Sequence, residues 1–540
     1  MSDNHLVENI AYQCVAKHIH MGVGGQTAIR WLTTSHEQQE ISYLELEMLS
    51  NQIANLLRSF GIGAGDCVSV FLPRTPELIT SFLGILKVQA ISCVLFSTFG
   101  ENALLDRLLD NSARVIITKK SLLRRIQNIR DLLPKLEKIL VIDLDEHIDD
   151  HVLSLPVLLN ETPDTFEYPV YLPPDTPAFL QYTSGSTGKP KGVIHVHGGT
   201  SAMLDSMTEV MNIHKGELYW CTADPAWITG LVYGVIAPLT LGVDQIQYGG
   251  AFHAVQWLGI LQDYSVNVWY TAPTALRMLM QEDEQVLRAY DYSQLRKIYS
   301  VGEPLNAEIY HWGKRIFTRE INDTFFQSET GSIMIANRPG IPIRPGSMGK
   351  PLSYIAAYIL DESGQPVPPK QQGHLCFQAG WNSMFRGYLN KAEAYGEKFR
   401  NGYYFTGDLA WQDGDGYFWY VGRADDVINT AGHLVGPFEV ESALLEIDEI
   451  MDVAVIGVPD PILHEKIIAF ICLPNGREWD RGLELKCRVN ISNRVSTVAI
   501  PQEYHVVEKI PKNKSGKILR RVLKAWYQGK DPGDLSTMED

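Results

Sequence analysis

The chain has 540 residues, 45% hydrophobic and 20% charged, with 47 Lys and Arg against 63 Asp and Glu, for a formal charge of −16. That length predicts more than one domain, with a core of ordinary size that needs no metal or disulfide to fold. The acidic balance disfavours a general nucleic-acid or anionic-membrane binder, so an anionic substrate has to meet positive charge that is locally concentrated.

The first residues, MSDNHLVENIA, lack a basic region followed by an apolar run, so no signal peptide is expected. From residue 67, short β-branched runs alternate with helical patterns: CVSVFLP then ELITSFLGILKVQA, ISCVLFS then NALLDRLLDNSA, RVIIT then SLLRRIQNIRDLLPKL, then KILVID. VNVWYTAP and KIYSVG lie farther on beside further helical stretches. The alternation predicts an α/β layered domain with largely parallel strands, whose ligands sit outside the carboxyl ends of the strands. Among these runs lies YTSGSTGKPKGV (residues 182–193), directly after strand-like PAFLQ. Its composition suits neither a buried strand nor a stable helix and predicts a loop. PAWITGLVYGVIAPLTLGV (residues 225–243) is the longest uncharged run. Its prolines and glycines predict a buried helix and loop rather than a membrane span.

After about residue 350 the pattern changes. AAYILDESGQPVPP, HLCFQAG and YYFTGDLAWQDGDGYFWYVGR read as hairpins with Gly and Asp turns. GRADDVINTAGHLVG (residues 422–436) reads as a boundary, and VESALLEI, DVAVIGVPD, KIIAFICLP and EYHVVEKIP beyond it predict a compact α+β unit. The expected division is residues 1–424 and 425–540. Seven dispersed cysteines without a CxxC read as reduced thiols, which predicts a cytoplasmic protein.

Gly185 and Gly188 permit backbone conformations that expose successive N–H groups. Thr183, Ser184, Ser186 and Thr187 add hydroxyls, and Lys189 and Lys191 add charge. Such a nest suits phosphate oxygens. It is not a Walker A loop, because Lys189 is followed by Pro190 where that motif needs Ser or Thr. Composition alone leaves two readings open, a phosphate cradle and a mobile surface linker.

The full string YTSGSTGKPKGV closely resembles the signature loop of the adenylate-forming superfamily: acyl-CoA synthetases, peptide-synthetase adenylation domains and luciferases. WCTADPAWITG, VGEPLNAE, FFQSETGSIMI, MFRGYLN, YYFTGDLAWQDGDGYFWYVGRADDVI, PFEVESAL and PKNKSGKILRR follow in that family's order, with family-like spacing. WCTADPAWITG and QSETGSIMI look most like acetyl-CoA synthetases and their short- and medium-chain relatives. The resemblance implies the adenylate-forming fold: an α/β architecture with a large N-terminal domain of layered sheets and a small, mobile α+β C-terminal domain. It also implies ligase chemistry with ATP and magnesium. A carboxylate attacks the α-phosphate, acyl-AMP forms and pyrophosphate leaves; a thiol, normally that of CoA, then displaces AMP to give a thioester.

The same resemblance implies roles for single residues. Lys517, in KSGK, bridges the carboxylate and the α-phosphate, where charge builds up; taken without the family, it is one more charge in a basic terminal helix. Asp408 accepts both ribose hydroxyls, which suits an acceptor-only carboxylate, and Arg423 reaches the same region. Gly302, Glu303 and Pro304 line the adenine. Asp323, Thr324, Phe325, Gln327 and Ser328 lie beside adenine and phosphates, and Glu329 is the magnesium carboxylate. Lys517, Glu329 and Thr183 are the catalytic candidates. Asp425 is the hinge on which the small domain turns between the half-reactions. Ala431, Gly432 and His433 face the thiol in the second orientation. Trp227, Ile228, Thr229, Val301 and Phe326 line the acid pocket. Acetyl-CoA synthetases carry tryptophan at the position of Phe326, and medium-chain relatives carry glycine. Phenylalanine still blocks, so a short acyl group is expected.

Two departures bear on the thiol. Leu434 stands where the family usually has arginine, and leucine makes no charge-assisted bond. FSTFGEN (residues 96–102) stands where acetyl-CoA synthetases have a glycine-rich loop near the CoA phosphates. They leave two alternatives to a CoA ligase: an enzyme that loads the pantetheine arm of a carrier protein, and a non-catalytic adenylate-binding regulator.

Overall fold

The structure is a computed structural model that describes residues 6–35, 37–184, 190–431, 433–474, 476–513, 516–533, 535 and 538, with the backbone alone for Ser184 and Leu434. Strand Cys67–Leu72 is buried at every position, as its unbroken apolar run requires of a strand covered on both faces. It lies at the centre of a seven-stranded sheet of order 190–196, 177–184, 91–96, 67–72, 115–118, 138–141, 152–154. All neighbours in it are parallel except the edge strand Pro190–Val196, which pairs antiparallel with Pro177–Ser184.

A nine-stranded sheet carries the parallel strands Ile321–Phe325, Lys297–Val301, Val268–Thr271, Leu218–Cys221, Asp244–Tyr248 and Thr27–Leu32 in that order. Antiparallel strands close it at both edges. One hydrophobic core joins the two large sheets, with Val70 and Val94 from one and Tyr219 and Tyr270 from the other. The run at 225–243 is a buried helical stretch, Ile228–Leu231, Val232–Ile236 and Ala237–Leu241. Among the described residues no helix is long and apolar enough to cross a membrane.

The hairpins expected after residue 350 form an antiparallel sheet of strands Ala357–Leu360, Gly373–Gln378, Phe399–Arg400, Tyr403–Gln412 and Phe418–Arg423. The last sheet holds Ile428–Thr430, His433–Val435, Asp452–Asp460, His464–Cys472 and Glu503–Val506. Its alternation divides two small cores. Val453 and Val455 face Pro437–Leu445 and Arg481–Arg494, whereas Ala454 and Ile456 face Ile510 and Leu523. Residues 422–436, expected as a boundary, are mostly strand: the chain leaves one sheet at Arg423 and enters the next at Ile428. Period-two pairing on both sides leaves only the intervening turn between the sheets.

The stretch at 182–193 is likewise strand at both ends. Thr183 pairs with Lys191 and Ser184 with Pro190, so a hairpin flanks residues 185–189, which lie outside the described residues. Backbone pairing of Phe179 and Leu180 with His195 and Ile194 continues through Tyr182–Gly192 to Ser184–Pro190, and so carries the polar residues into the ladder.

Arg520 fastens the last helix to this small unit through a two-pronged bond to Glu441, at 2.5 and 2.7 Å, and Glu441 also accepts from the Val455 N–H. Both side chains are largely buried, so removing one strands the other's charge. Glu441→Ala is expected to destabilise this unit by roughly 3–5 kcal/mol. Hydrogen exchange should accelerate in Asp452–Asp460 and stay slow in Cys67–Leu72; equal protection in both strands would count against the bond's importance.

Candidate active site

The carboxyl ends of parallel strands from both large sheets open onto two adjoining cavities. The larger, about 800 Å³, is reached by residues just past Cys221, Thr271, Val301, Phe325 and Phe96. The smaller, about 180 Å³, lies between the nine-stranded sheet and the small unit. Gly302, Phe326, Gln327, Arg423 and Lys517 line both.

Gln327 is the joint between them. Its Nε2 donates to Asp408 Oδ2 at 2.6 Å and to the Thr406 carbonyl at 3.1 Å, and its Oε1 accepts from the Tyr404 hydroxyl at 2.8 Å. Tyr404 and Asp408 lie on one strand, and Gln327 bonds both side chains. Burial pushes the Asp408 carboxyl above its ordinary range, while Arg423, Lys517 and Lys398 pull it back. Arg423 lies 3.5 Å from Asp408 and 3.3 Å from Asp425. Burial opposes its charge, but Asp408 and Asp425 outweigh that and hold it charged. Lys517 sits among Arg423, Asp408, Asp426 and Arg520, and its accessible surface is cavity wall. Burial, then Arg423, lowers its amine below the ordinary lysine range, against the pull of Asp408 and Asp426.

A polar contact seats the turn that carries Lys517. Lys517 N–H donates to Asn513 Oδ1 at 2.9 Å, and the Asn513 and Lys517 backbones bond at 2.8 Å. Gly516 has φ of +84°, and a Cβ there would lie 2.5 Å from both Glu303 Oε1 and Thr274 Oγ1. Only glycine meets both demands. Thr274 donates to Glu303 at 2.6 Å, and Arg277 bonds both. Glu303, expected at the adenine, therefore lines the small cavity but directs its carboxylate to Thr274 and Arg277.

Pro304, Asp323, Thr324 and Phe325 line the small cavity. Asp323 accepts from Ser300 Oγ at 2.7 Å, yet burial pushes its carboxyl up to about 7. Thr183, Ser328 and Glu329 line the large cavity. Glu329 Oε1 accepts from the Tyr388 hydroxyl at 2.7 Å. Trp227, Ile228, Thr229 and Val301 line that cavity too. Trp227 meets Phe96 edge-on at 4.7 Å, and Phe326 meets Tyr233 edge-on at 5.4 Å. Residues 96–98, the start of the departing FSTFGEN segment, form part of the same wall.

Some expected residues stand apart. Lys191 lines neither cavity; its amine lies 5.3 Å from the centre of the Tyr388 ring. Ala431 and His433 are exposed and line neither. Gly185, Ser186, Thr187, Gly188, Lys189 and Gly432 lie outside the described residues. Sequence reading missed Arg277, Lys398, Tyr388 and Tyr404. Tyr388 lies in MFRGYLN and Tyr404 in YYFTGDL, motifs read without a role for either tyrosine; Arg277 and Lys398 carry no local signal.

The chain matches the family described as AMP-binding enzyme over residues 21–389, and the AMP-binding enzyme C-terminal domain over residues 439–517. It is similar to the acetyl-coenzyme A synthetase of Bacillus subtilis, 40% identical over 534 residues that cover 98% of this chain and 93% of that protein. The acetyl-coenzyme A synthetase of Pyrobaculum arsenaticum is 36% identical over 570 residues, covering 98% and 85%. Among solved structures, the anthranilate CoA ligase AuaEII in complex with anthranoyl-AMP superposes with a TM-score of 0.88 at 28% identity, covering 97% of both chains. The acyl-CoA synthetase of Brucella canis gives 0.75 at 30% identity, covering 98% and 96%.

Asp323 makes stability depend on pH. Its folded value, about 7, lies above the ordinary 3.8, so the native state keeps a proton that the unfolded chain releases. Its contribution is complete below the ordinary value and is lost as pH rises through the folded value. Asp323→Asn carries no such proton. Its melting temperature relative to the unaltered protein should rise by a few degrees between pH 5 and pH 8; a difference that stays constant with pH would refute the buried-acid account.

Proposed function

The chain belongs to the AMP-binding enzyme family, and on that premise we propose that these cavities house an acid–thiol ligase that joins a short-chain carboxylic acid to coenzyme A through an acyl-adenylate. It uses ATP, magnesium and coenzyme A. The observation that carries the reading is the convergence of Asp408 and Arg423, register partners on neighbouring strands of one sheet, and Lys517, from the C-terminal turn, on one pair of cavities.

In the first step a carboxylate oxygen of the acid attacks the α-phosphorus. The bond from that phosphorus to its bridging oxygen breaks, and pyrophosphate leaves with the electron pair. Two anions approach each other, so fixed positive charge has to stand where they meet. Lys517 supplies it, steadied by the Asn513 turn. Asp408 takes the ribose hydroxyls, held in place by Gln327. Gly302, Pro304, Asp323 and Thr324 bound the adenine. Thr183 and residues 185–189 after it take the phosphates. Glu329 suits magnesium: Tyr388 orients it, it faces the large cavity, and this ion favours few carboxylates beside phosphate oxygens. When bound, the ion screens charge on the departing phosphates.

In the second step the thiol sulfur attacks the acyl carbon, AMP departs with the electrons of the anhydride bond, and the thiol proton passes to solvent. Coenzyme A is the acceptor that the relatives' names carry; nothing supports a carrier protein. We place the domain boundary at 424/425 and the hinge at Asp425, in the turn between the last two sheets. Rotation there would bring the exposed Ala431 and His433 to the cavity. Seven buried free thiols support a cytoplasmic setting.

ATP–pyrophosphate exchange with acetate, propionate and butyrate tests the reading, and a chain that exchanges with no acid is a binder, not a ligase. Lys517→Ala should lower exchange about 10²–10³-fold while transfer from supplied acyl-AMP to coenzyme A stays near normal; undiminished exchange removes Lys517 from the first step. Phe326→Gly should move preference toward longer acids, each methylene being worth about 1–3 kcal/mol. An unchanged ratio of hexanoate to acetate activity would show that Phe326 is not the pocket's end wall.

A further inference from the structure

Two lysine amines face the large cavity without a hydrogen bond or ion pair among the described residues: Lys517 and Lys398. The second belongs to none of the motifs. Lys398 is fixed by its backbone, not carried on a free loop. Its N–H donates to the Tyr395 carbonyl at 3.1 Å, and its carbonyl accepts from the Phe405 N–H at 2.8 Å. The next two residues, Phe399–Arg400, pair with Tyr403–Tyr404. The side chain is half-buried and lines the cavity beside Glu329, Thr406 and Arg423.

The charges around it do not settle it. Glu329 and Asp408 attract the amine, Arg423 and Lys191 repel it, and Asp408 is already bonded to Gln327 and Arg423. A half-buried ammonium with cationic neighbours and no ion-pair partner is costly until an anion joins it. The position says which anion. Thr183 and Lys191 pair on either side of residues 185–189, and the charges of Lys191 and Glu329 both reach the Lys398 amine. The acid pocket is bounded instead by Trp227 and Phe326, and the adenine cavity by Asp323 and Pro304. Lys398 belongs with the phosphates.

We propose that Lys398 is a phosphate-binding residue of this ligase, an amine aimed at the oxygens that leave as pyrophosphate. This rests on the acyl-adenylate reading above. The alternative is that Lys398 only holds Glu329 and Asp408 in position.

Calorimetric binding of magnesium pyrophosphate and of AMP to the full-length protein, Lys398→Gln and Lys398→Arg separates these. Loss of one charge-assisted hydrogen bond predicts about tenfold or weaker pyrophosphate binding in Lys398→Gln. Lys398→Arg should recover most of it, because guanidinium also binds phosphate. AMP, which lacks the leaving phosphates, should bind all three proteins alike, and its binding also shows that the variants are folded. Unchanged pyrophosphate affinity in Lys398→Gln overturns the proposal. So does a parallel loss for both ligands, which marks a positioning role, and so does an unaltered protein that binds no pyrophosphate. Binding needs no turnover, so a chain that activates no acid would sink the ligase reading and still decide Lys398.

Discussion

Bringing a carboxylate against a polyphosphate inside a chain of charge −16 is the constraint that organises this structure. Mean charge works against it, so the attraction has to be local and shielded from water. The structure meets this by setting cations on separate elements around one space: Arg423 at a strand end, Lys398 before a short hairpin, Lys517 in a C-terminal turn. Acids stand between them, Asp408, Asp425 and Asp426, and keep the group from repelling itself apart before substrate arrives. The cost of burying Asp408 is offset by Gln327 and by these same cations. A site built so is neutral enough to fold and positive enough, at the points of contact, to bind.

The dependence on Lys517 makes the seat of its turn important. That seat is polar and small-featured: a glycine against the Thr274–Glu303 pair, braced by Arg277. A large apolar contact would bury the turn firmly, at roughly 25 cal/mol per Å² of apolar surface. A hydroxyl, a carboxylate and a glycine make a contact that water replaces at modest cost. Such a seat defines where the amine goes without a large apolar surface. On the proposed hinge at Asp425, that is the property a ligase needs if one active site is to serve an anhydride-forming step and a thioester-forming step in turn.

What the sequence disclosed follows the range of the forces involved. Period-two and helical alternation located the parallel strands, because burial on both faces imposes an apolar run such as Cys67–Leu72. The motif residues with a family pattern, Asp408, Gln327, Asp323 and Lys517, come together at the cavities. Boundaries were less legible. Polar residues at 182–184 and 190–193 enter a ladder because their partners' backbones are there, which no local window reports. Residues 422–436 contain two short strands for the same reason. Arg277 and Lys398 were invisible: each is a lone cation whose partners lie far along the chain, and a lone cation has no period or spacing to betray it. The direction of the Glu303 carboxylate, toward Thr274 and Arg277, needed the fold as well.

On the acid pocket proposed above, selectivity for the acid rests on different physics from its activation. The pocket wall is made of edge-on aromatic pairs, Phe326 on Tyr233 and Trp227 on Phe96. Tyr233 is not free to yield: its hydroxyl meets Ser206 at 2.7 Å and accepts from the Ile333 N–H at 2.7 Å. Gly230, one turn away, packs so closely on the bend at Asp224 that a Cβ would lie 2.1 Å from its carbonyl oxygen. Phe326 is therefore backed by a ring pinned at both its face and its hydroxyl, and an extra methylene cannot be accommodated by letting Tyr233 swing. Overpacking then carries a penalty of about 1–3 kcal/mol in addition to any lost contact. On that proposal, charge decides that an acid is activated here, and a braced aromatic wall decides how long that acid can be.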